Sequence, residues 1–298
     1  MDQVSVVIPS YNSFRTIHRT IDSLLAQTPV RPEEIIVVDS SDDAKTRELL
    51  KKYQASPVRT IFLGQQTMPA IGRNVGAREA KGRILAFIDS DAYANPDWIE
   101  KILLASEKGC RVGGGAILLP PEQRERALAL VQYFLQFNEF MGGALRRVVR
   151  FAPSCNLFCE RKLFEEVGGF PEIRAAEDVL FGLRVAKVTP FYFDPAIRVW
   201  HIFSETWERC RTNQVLLGEY MLAYRKVYFQ TWFYQGIWPL LFLPAYIALK
   251  FIRIVNRVSR FEDKALRWSF FRHLPVFLAG LFFLAWGFAG ACFKKWKY

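Results

Sequence analysis

Two carboxylates spaced one residue apart, Asp89 and Asp91, close the apolar run Ile-Leu-Ala-Phe-Ile at residues 84–88. Alternate residues of extended chain share a side, so this pair can meet one hard divalent cation and the phosphate oxygens it bridges. Asp is also a common turn residue, and only its position in the fold separates the two readings. Asp39 follows the run Glu34 to Val38 directly. A carboxylate there can accept from a nucleotide base or ribose, or it can cap the next helix, although Asp42 and Asp43 stand nearer to that helix. Arg73, inside Gly72-Arg73-Asn74-Val75-Gly76, carries the forked donor suited to phosphate, or is an ordinary surface arginine. Glu177-Asp178 opens a helix after a Gly-rich loop. Either carboxylate can simply favour the positive helix end, or Asp178 can act as a general base on an attacking hydroxyl. Trp200-His201 ends a strand. A lone His is most often a packing residue, and only the company of these carboxylates makes His201 a candidate metal ligand.

Such residues need a scaffold, and the first third of the chain supplies its pattern. Short β-branched runs at Val4 to Ile8, Glu34 to Val38, Val58 to Phe62 and Ile84 to Ile88 alternate with helix-length stretches beginning near Ser13, Asp43 and Met68. Continuous apolar strands between amphipathic helices predict a mostly parallel sheet flanked by helices, with ligands at the carboxyl ends of the strands. Further on, the spacing predicts a helix from Pro96 to about Ser106 and a Gly-rich strand from Gly113 to Leu119. It then predicts one long amphipathic segment over Glu122 to Arg150, a helix from about Ala175, and a strand pair at Phe191 to Phe193 and Ile197 to Trp200. The long segment is either a core helix or a lipid-contacting one.

The 298 residues suit one catalytic domain with an appendage, and an apolar content of 51% excludes disorder over most of the length. The net charge of +11 is unevenly spread: residues 1–200 carry about +2 and residues 201–298 about +9. The basic part also holds the longest apolar runs, Trp232 to Ile252 and Leu274 to Phe293. Each has the roughly 20 residues that cross a bilayer, Pro239 and Pro244 predict a kink in the first, and the combination favours a membrane surface over nucleic acid. The connector between them bears Arg253, Arg257, Arg260, Lys264, Arg267 and Arg272. The positive-inside rule keeps such a connector in the cytoplasm, which suggests a re-entrant or in-plane hairpin rather than two crossings. We therefore divide the chain into a catalytic domain, 1–210, and a membrane-association region, 211–298. Five scattered cysteines without a C-x-x-C pair support neither a disulfide framework nor a zinc ribbon and fit a reducing compartment. The N-terminus enters a strand without a signal-peptide pattern, so the catalytic domain is expected to face the cytoplasm.

The ordered set Val6-Val7-Ile8-Pro9-Ser10-Tyr11-Asn12, Val37-Val38-Asp39, Gly72-Arg73-Asn74-Val75-Gly76, Phe87-Ile88-Asp89-Ser90-Asp91, Gly168-Gly169-Phe170 and Glu177-Asp178 resembles glycosyltransferase family 2 over about residues 3–205. The resemblance implies an α/β, Rossmann-like GT-A fold and an inverting, metal-dependent hexosyl transfer from a nucleotide-diphosphate sugar with Mn²⁺ or Mg²⁺. It implies that Pro9 and Tyr11 border the base, Asp39 accepts from it, Arg73 lies near the nucleotide and Asp89 near the ribose. Asp91 would ligate the metal and Asp178 would be the base. Trp200-His201 is similar to the Trp-His pair of bacterial galactofuranosyltransferases, where the His completes the metal site. The processive members' Q-x-x-R-W motif is replaced by Trp207-Glu208-Arg209-Cys210-Arg211, which speaks against polymer extrusion. The expected reaction is transfer to a hydroxyl of a lipid or lipid-linked acceptor at the cytoplasmic membrane face, in cell-envelope glycan synthesis. The alternatives are a polyprenyl-phosphate sugar synthase, whose anionic acceptor needs no base, and a non-catalytic nucleotide-sugar-binding membrane scaffold.

Overall fold

Residues 3–294 and 296 are described by a computed structural model of the chain. In chain order the strands are β1 Val4–Ser10, β2 Glu34–Asp39, β3 Val58–Phe62, β4 Ile84–Phe87, β5 Ala92–Ala94, β6 Val112–Leu118, β7 Arg147–Val149, β8 Leu157–Glu160 and β9 Phe191–His201. The helices are α1 Ile17–Leu25, α2 Ala44–Lys52, α3 Pro69–Glu79, α4 Trp98–Glu107, α5 Ala127–Phe137, α6 Arg161–Glu166, α7 Glu177–Val185 and α8 Trp207–Tyr228. The last four are α9 Trp238–Leu241, α10 Leu243–Ser259, α11 Lys264–Arg272 and α12 Leu274–Cys292. The chain forms two compact units, Met1–Leu118 with Phe140–His201, and Leu119–Glu139 with Ile202–Tyr298. This division differs from a cut at residue 210: the break follows His201, and α5 groups with the C-terminal helices.

The first unit is built on one sheet in the order β3-β2-β1-β4-β8-β6-β9-β5, with β7 on β9. Strands β1 to β4 are parallel. Every residue of β1, β2 and β4 is buried, including Val6, Val7, Ile36 and Phe87 at 0% exposure. Each such side chain contributes about 1.5–3 kcal/mol on burial, which explains why these strands read as unbroken apolar runs. The chain winds from β1 outward through β2 to β3 and then returns to place β4 on the other side of β1, so a crevice opens between the carboxyl ends of β1 and β4. Asp43 caps α2, accepting from the Thr46 N–H at 2.6 Å. That leaves Asp39 without a capping duty.

Beyond β4 the order becomes less regular than the sequence suggests. Strand β8 inserts antiparallel between β4 and β6. The expected strand pair at 191–200 is one strand, β9, with a register shift opposite Gly115 and Ala116, next to Pro195. The expected long segment at 122–150 is helical only over α5; the chain turns at Asn138 and returns as β7.

The second unit is helical. Helices α8 and α12 touch backbone to backbone: a Cβ on Gly218 would stand 1.9 Å from the Leu284 carbonyl oxygen, and one on Gly287 1.9 Å from that of Val215. Lys226 Nζ donates to the Ala291 and Cys292 carbonyls at 2.9 Å each, satisfying the open end of α12. The expected segment 232–252 is broken into a short turn, α9 and the start of α10, with Pro239 and Pro244 each in the first turn of a helix. Among the described residues α12 alone is long and apolar enough to cross a membrane. Leu278, Phe282 and Trp286, four residues apart, form its exposed side, while Phe277, Leu281, Leu284 and Phe288 are buried.

Candidate active site

The carboxyl ends of β1 and β4 and the start of α3 enclose a cavity of about 220 Å³. Pro9, Tyr11, Arg73, Asp89 and Asp91 all line it, as do Ser40, Met68 and Gly72. Five of the residues singled out in the sequence thus meet in one place. Asp39 lies beside a second cavity of about 210 Å³, with Arg47, Lys51 and Phe62. Its Oδ1 accepts from Ser10 Oγ at 2.8 Å and Ser41 Oγ at 2.6 Å. Its Oδ2 is buried and has no hydrogen-bond partner. A buried acceptor left open is costly unless a ligand donates to it.

Arg73 is not a surface arginine. It is 3% exposed, with Nη2 donating to Asp89 Oδ1 at 2.6 Å and Nη1 to Glu177 Oε1 at 2.9 Å. Burial works against its charge, and the carboxylates of Asp89 and Glu177 more than offset this, so its pKa lies above the ordinary range. The guanidinium therefore holds two carboxylates in place. The neighbouring Asn74 explains the rest of its motif. Its Oδ1 accepts from the Phe170 N–H at 3.0 Å and its Nδ2 donates to the Phe170 carbonyl at 2.8 Å. This clamps the Gly168-Gly169 turn, where both residues have positive φ (79° and 65°), a conformation that favours glycine.

The turn leads to α7. Ala176, just before it, has φ of 65° and ψ of 18°, a left-handed conformation costly for a residue with a Cβ. Its carbonyl accepts from the Leu180 N–H, so the strained residue starts the helix and sets the direction of Glu177 and Asp178. Asp178 accepts from the Val179 N–H at 2.7 Å. Burial, followed by the Glu177 carboxylate, pushes its pKa up to about 7, against the opposing pull of Arg73 and the Val179 and Ser154 amides.

His201 arrives from the far side of the sheet. Strand β9 pairs His201 with Ala92 and Trp200 with Tyr93, which brings His201 Nε2 to 3.5 Å from Asp91 Oδ1. Trp200 stacks on Tyr93 with ring centroids 5.3 Å apart, and Arg19 lies over the Tyr93 ring at 4.4 Å. Burial raises Asp91 above the ordinary carboxylate range, with His201 opposing and Asp89 adding to the rise. Asp89, Cys155 and His201 offer ligand atoms that all lie within 4.8 Å of one another. Arg73 thus pairs with Asp89 and Glu177, and the carboxylates of Asp91 and Asp178 lie within its electrostatic reach. An excess of negative charge beside an imidazole and a thiol fits a divalent cation. Sequence reasoning had not found Cys155, which matches no metal-ligand spacing, nor the part Glu177 plays in holding Arg73.

The family model for glycosyl transferase family 2 matches residues 5–168, more than half of the chain. The chain belongs to glycosyl transferase family 2. It is 27% identical to Glycosyltransferase AglE of Haloferax volcanii over 172 residues, 56% of this chain and 56% of AglE. It is 38% identical over 93 residues to the UDP-Glc:alpha-D-GlcNAc-diphosphoundecaprenol beta-1,3-glucosyltransferase WfaP of Escherichia coli, 31% of this chain and 37% of WfaP. The chain thus spans about half or less of the length of these relatives. The crystal structure of GalNAc-T7 with UDP, GalNAc and Mn²⁺ superposes with a TM-score of 0.55 at 18% identity, over 68% of this chain and 43% of that one. The last likeness establishes the fold, a GT-A sheet with flanking helices.

Proposed function

We propose that this chain transfers a sugar, with inversion, from a nucleotide-diphosphate donor to a hydroxyl of a lipid or lipid-linked acceptor at the cytoplasmic face of a membrane, with a divalent metal. The observation that carries the reading is the approach of His201 Nε2 to Asp91 Oδ1, 3.5 Å, at the edge of the cavity lined by Pro9, Tyr11 and Asp89. In this reading Pro9 and Tyr11 border the base, the open Oδ2 of Asp39 accepts from it, and Asp89 receives the ribose. Arg73 is a positioning residue that fixes Asp89 and Glu177. Asp91 and His201 hold the metal, Mn²⁺ or Mg²⁺, which neutralises charge on the departing diphosphate when bound.

Asp178 takes the acceptor proton. Its pKa near 7 lets it be both deprotonated and sufficiently basic at neutral pH. Attack of the acceptor oxygen on the anomeric carbon, with departure of the diphosphate from the opposite face, inverts the centre in one displacement. The lipid-linked acceptor is supported by the likeness to WfaP. Membrane association is supported by α12 and by the basic residues Arg253, Arg257, Arg260 and Lys264 on α10, α11 and the link between them. Full-chain protein in detergent, given radiolabelled donor and either a polyprenyl-diphosphate-linked sugar or a bare polyprenyl phosphate, tests the acceptor class. Labelled product on the glycan-bearing lipid, abolished in Asp178→Asn, is expected. Product on the bare phosphate that survives Asp178→Asn would identify a polyprenyl-phosphate sugar synthase.

A further inference from the structure

We propose that Cys155 is a third protein ligand of the metal site, supplying a thiolate that makes the site favour borderline-soft divalent ions over Mg²⁺. The inference rests on the reading that a divalent ion binds beside His201. Cys155 is 2% exposed and lies in a single turn of 3-10 helix, Ser154–Asn156, immediately before β8. Both of its neighbours are tied down. Ser154 Oγ reaches Glu177 Oε1 at 3.5 Å. Asn156 Nδ2 donates to the Ala116 and Ile197 carbonyls at 2.9 and 3.0 Å, and its Oδ1 accepts from Trp98 Nε1 at 2.9 Å. The thiol between them is therefore aimed by the fold.

Its surroundings are unlike those of the other cysteines. Cys110, Cys159 and Cys292 each donate to a backbone carbonyl, and Cys210 belongs to no cluster of possible metal ligands among the described residues. Cys155 has no hydrogen bond among the described residues, and its Sγ faces a carboxylate oxygen of Asp89 and a ring nitrogen of His201, all within 4.8 Å of one another. Two donors bound to one ion at about 2.0–2.3 Å can stand at most about 4.6 Å apart, so small side-chain shifts let the Cys155 sulfur and the His201 ring nitrogen, within 4.8 Å of each other, reach one ion. Mg²⁺ takes oxygen ligands in strict octahedral geometry and gains little from sulfur. A thiolate beside an imidazole favours Co²⁺, Zn²⁺ or Cd²⁺. On binding, the S–H bond breaks, a metal–sulfur bond forms and the proton leaves to solvent.

Co²⁺ is a direct probe, because a bound thiolate produces a near-ultraviolet charge-transfer band separate from the visible bands of any bound cobalt. The full chain in detergent, kept reduced and without oxygen, is titrated with Co²⁺ alone. We expect the charge-transfer band in the wild-type protein and in Cys159→Ser. In Cys155→Ser and Cys155→Ala the band is lost while the visible bands remain, and Co²⁺ affinity falls roughly tenfold or more with Mg²⁺ affinity little changed. Comparing the two variants, each checked for an unchanged melting temperature, separates ligand loss from damage to the buried turn. Visible bands without charge transfer in the wild type, or a charge-transfer band that survives both Cys155 variants, would overturn the thiolate ligand alone. Absence of any cobalt binding by the wild type would overturn the metal site itself.

Discussion

Arg73 donates to Asp89 across 2.6 Å from a side chain that is almost wholly buried, and the same guanidinium holds Glu177 at 2.9 Å. The arginine of the Gly-Arg-Asn motif is thus a structural cation that fixes two carboxylates at the cavity. Removing it leaves them close together without a partner, which costs about 3–5 kcal/mol. Arg73→Met is expected to lower the urea midpoint accordingly, and adding Glu177→Gln is expected to restore part of the loss. Equal midpoints for the single and double variants would show that the coupling is absent.

Asp178 connects activity with pH. Its folded-state pKa of about 7 lies above the ordinary 3.8. Activity that needs the carboxylate should therefore fall with unit slope on the acid side, at or below pH 7, since a bound cation favours the charged form. Asp178→Asn should lower kcat by roughly 10²–10⁴-fold while donor affinity is kept. Stability runs in the opposite sense. A raised pKa adds stability that is complete below about pH 4 and lost as pH rises through 7. Without metal, Asp178→Asn should therefore exceed the wild type at pH 8 by on the order of 1 kcal/mol, discounted for partial exposure, with the gap closing towards pH 4. Melting curves at the two pH values decide it, and a gap that widens in acid contradicts the assignment.

The open Oδ2 of Asp39 predicts a binding defect without a folding defect. Asp39→Asn should weaken nucleotide binding by roughly 10- to 100-fold, the range for losing a hydrogen bond to a charged acceptor. Calorimetry with the bare nucleoside diphosphate measures this apart from turnover. Unchanged affinity would place the base elsewhere.

The exposed side of α12, Leu278, Phe282 and Trp286, predicts contact with lipid. Replacing Phe282 and Trp286 together by Glu should abolish co-flotation with anionic vesicles and leave the fold of the first unit intact. Co-flotation at the wild-type level would assign this face to a protein partner.

What could be read from the sequence follows the range of the forces involved. Strands β1, β2 and β4 and the cap at Asp43 were legible because continuous burial and local capping write themselves into adjacent residues. Asp89, Asp91 and Tyr11 line one cavity because they stand at the ends of neighbouring parallel strands, which converge. Cys155 was not legible: it reaches the cluster only because β8 inserts antiparallel between β4 and β6, a pairing with no local signal. The ion pairs of Arg73 were not legible because its two partners, Asp89 and Glu177, come from distant parts of the chain. The apolar run at 232–252 had the composition of one span, while Pro239 and Pro244 divide it between separate helices.

The most direct test of the account is donor turnover against metal. Full-chain protein in detergent is offered UDP-, GDP- and dTDP-sugars, each with and without Mn²⁺, beside Asp91→Asn, and release of nucleoside diphosphate is followed. Metal-dependent release from one donor, lost in Asp91→Asn with folding intact, is the predicted result. Release that is indifferent to metal and to Asp91, or no release from any donor with metal present, would contradict the proposed active site.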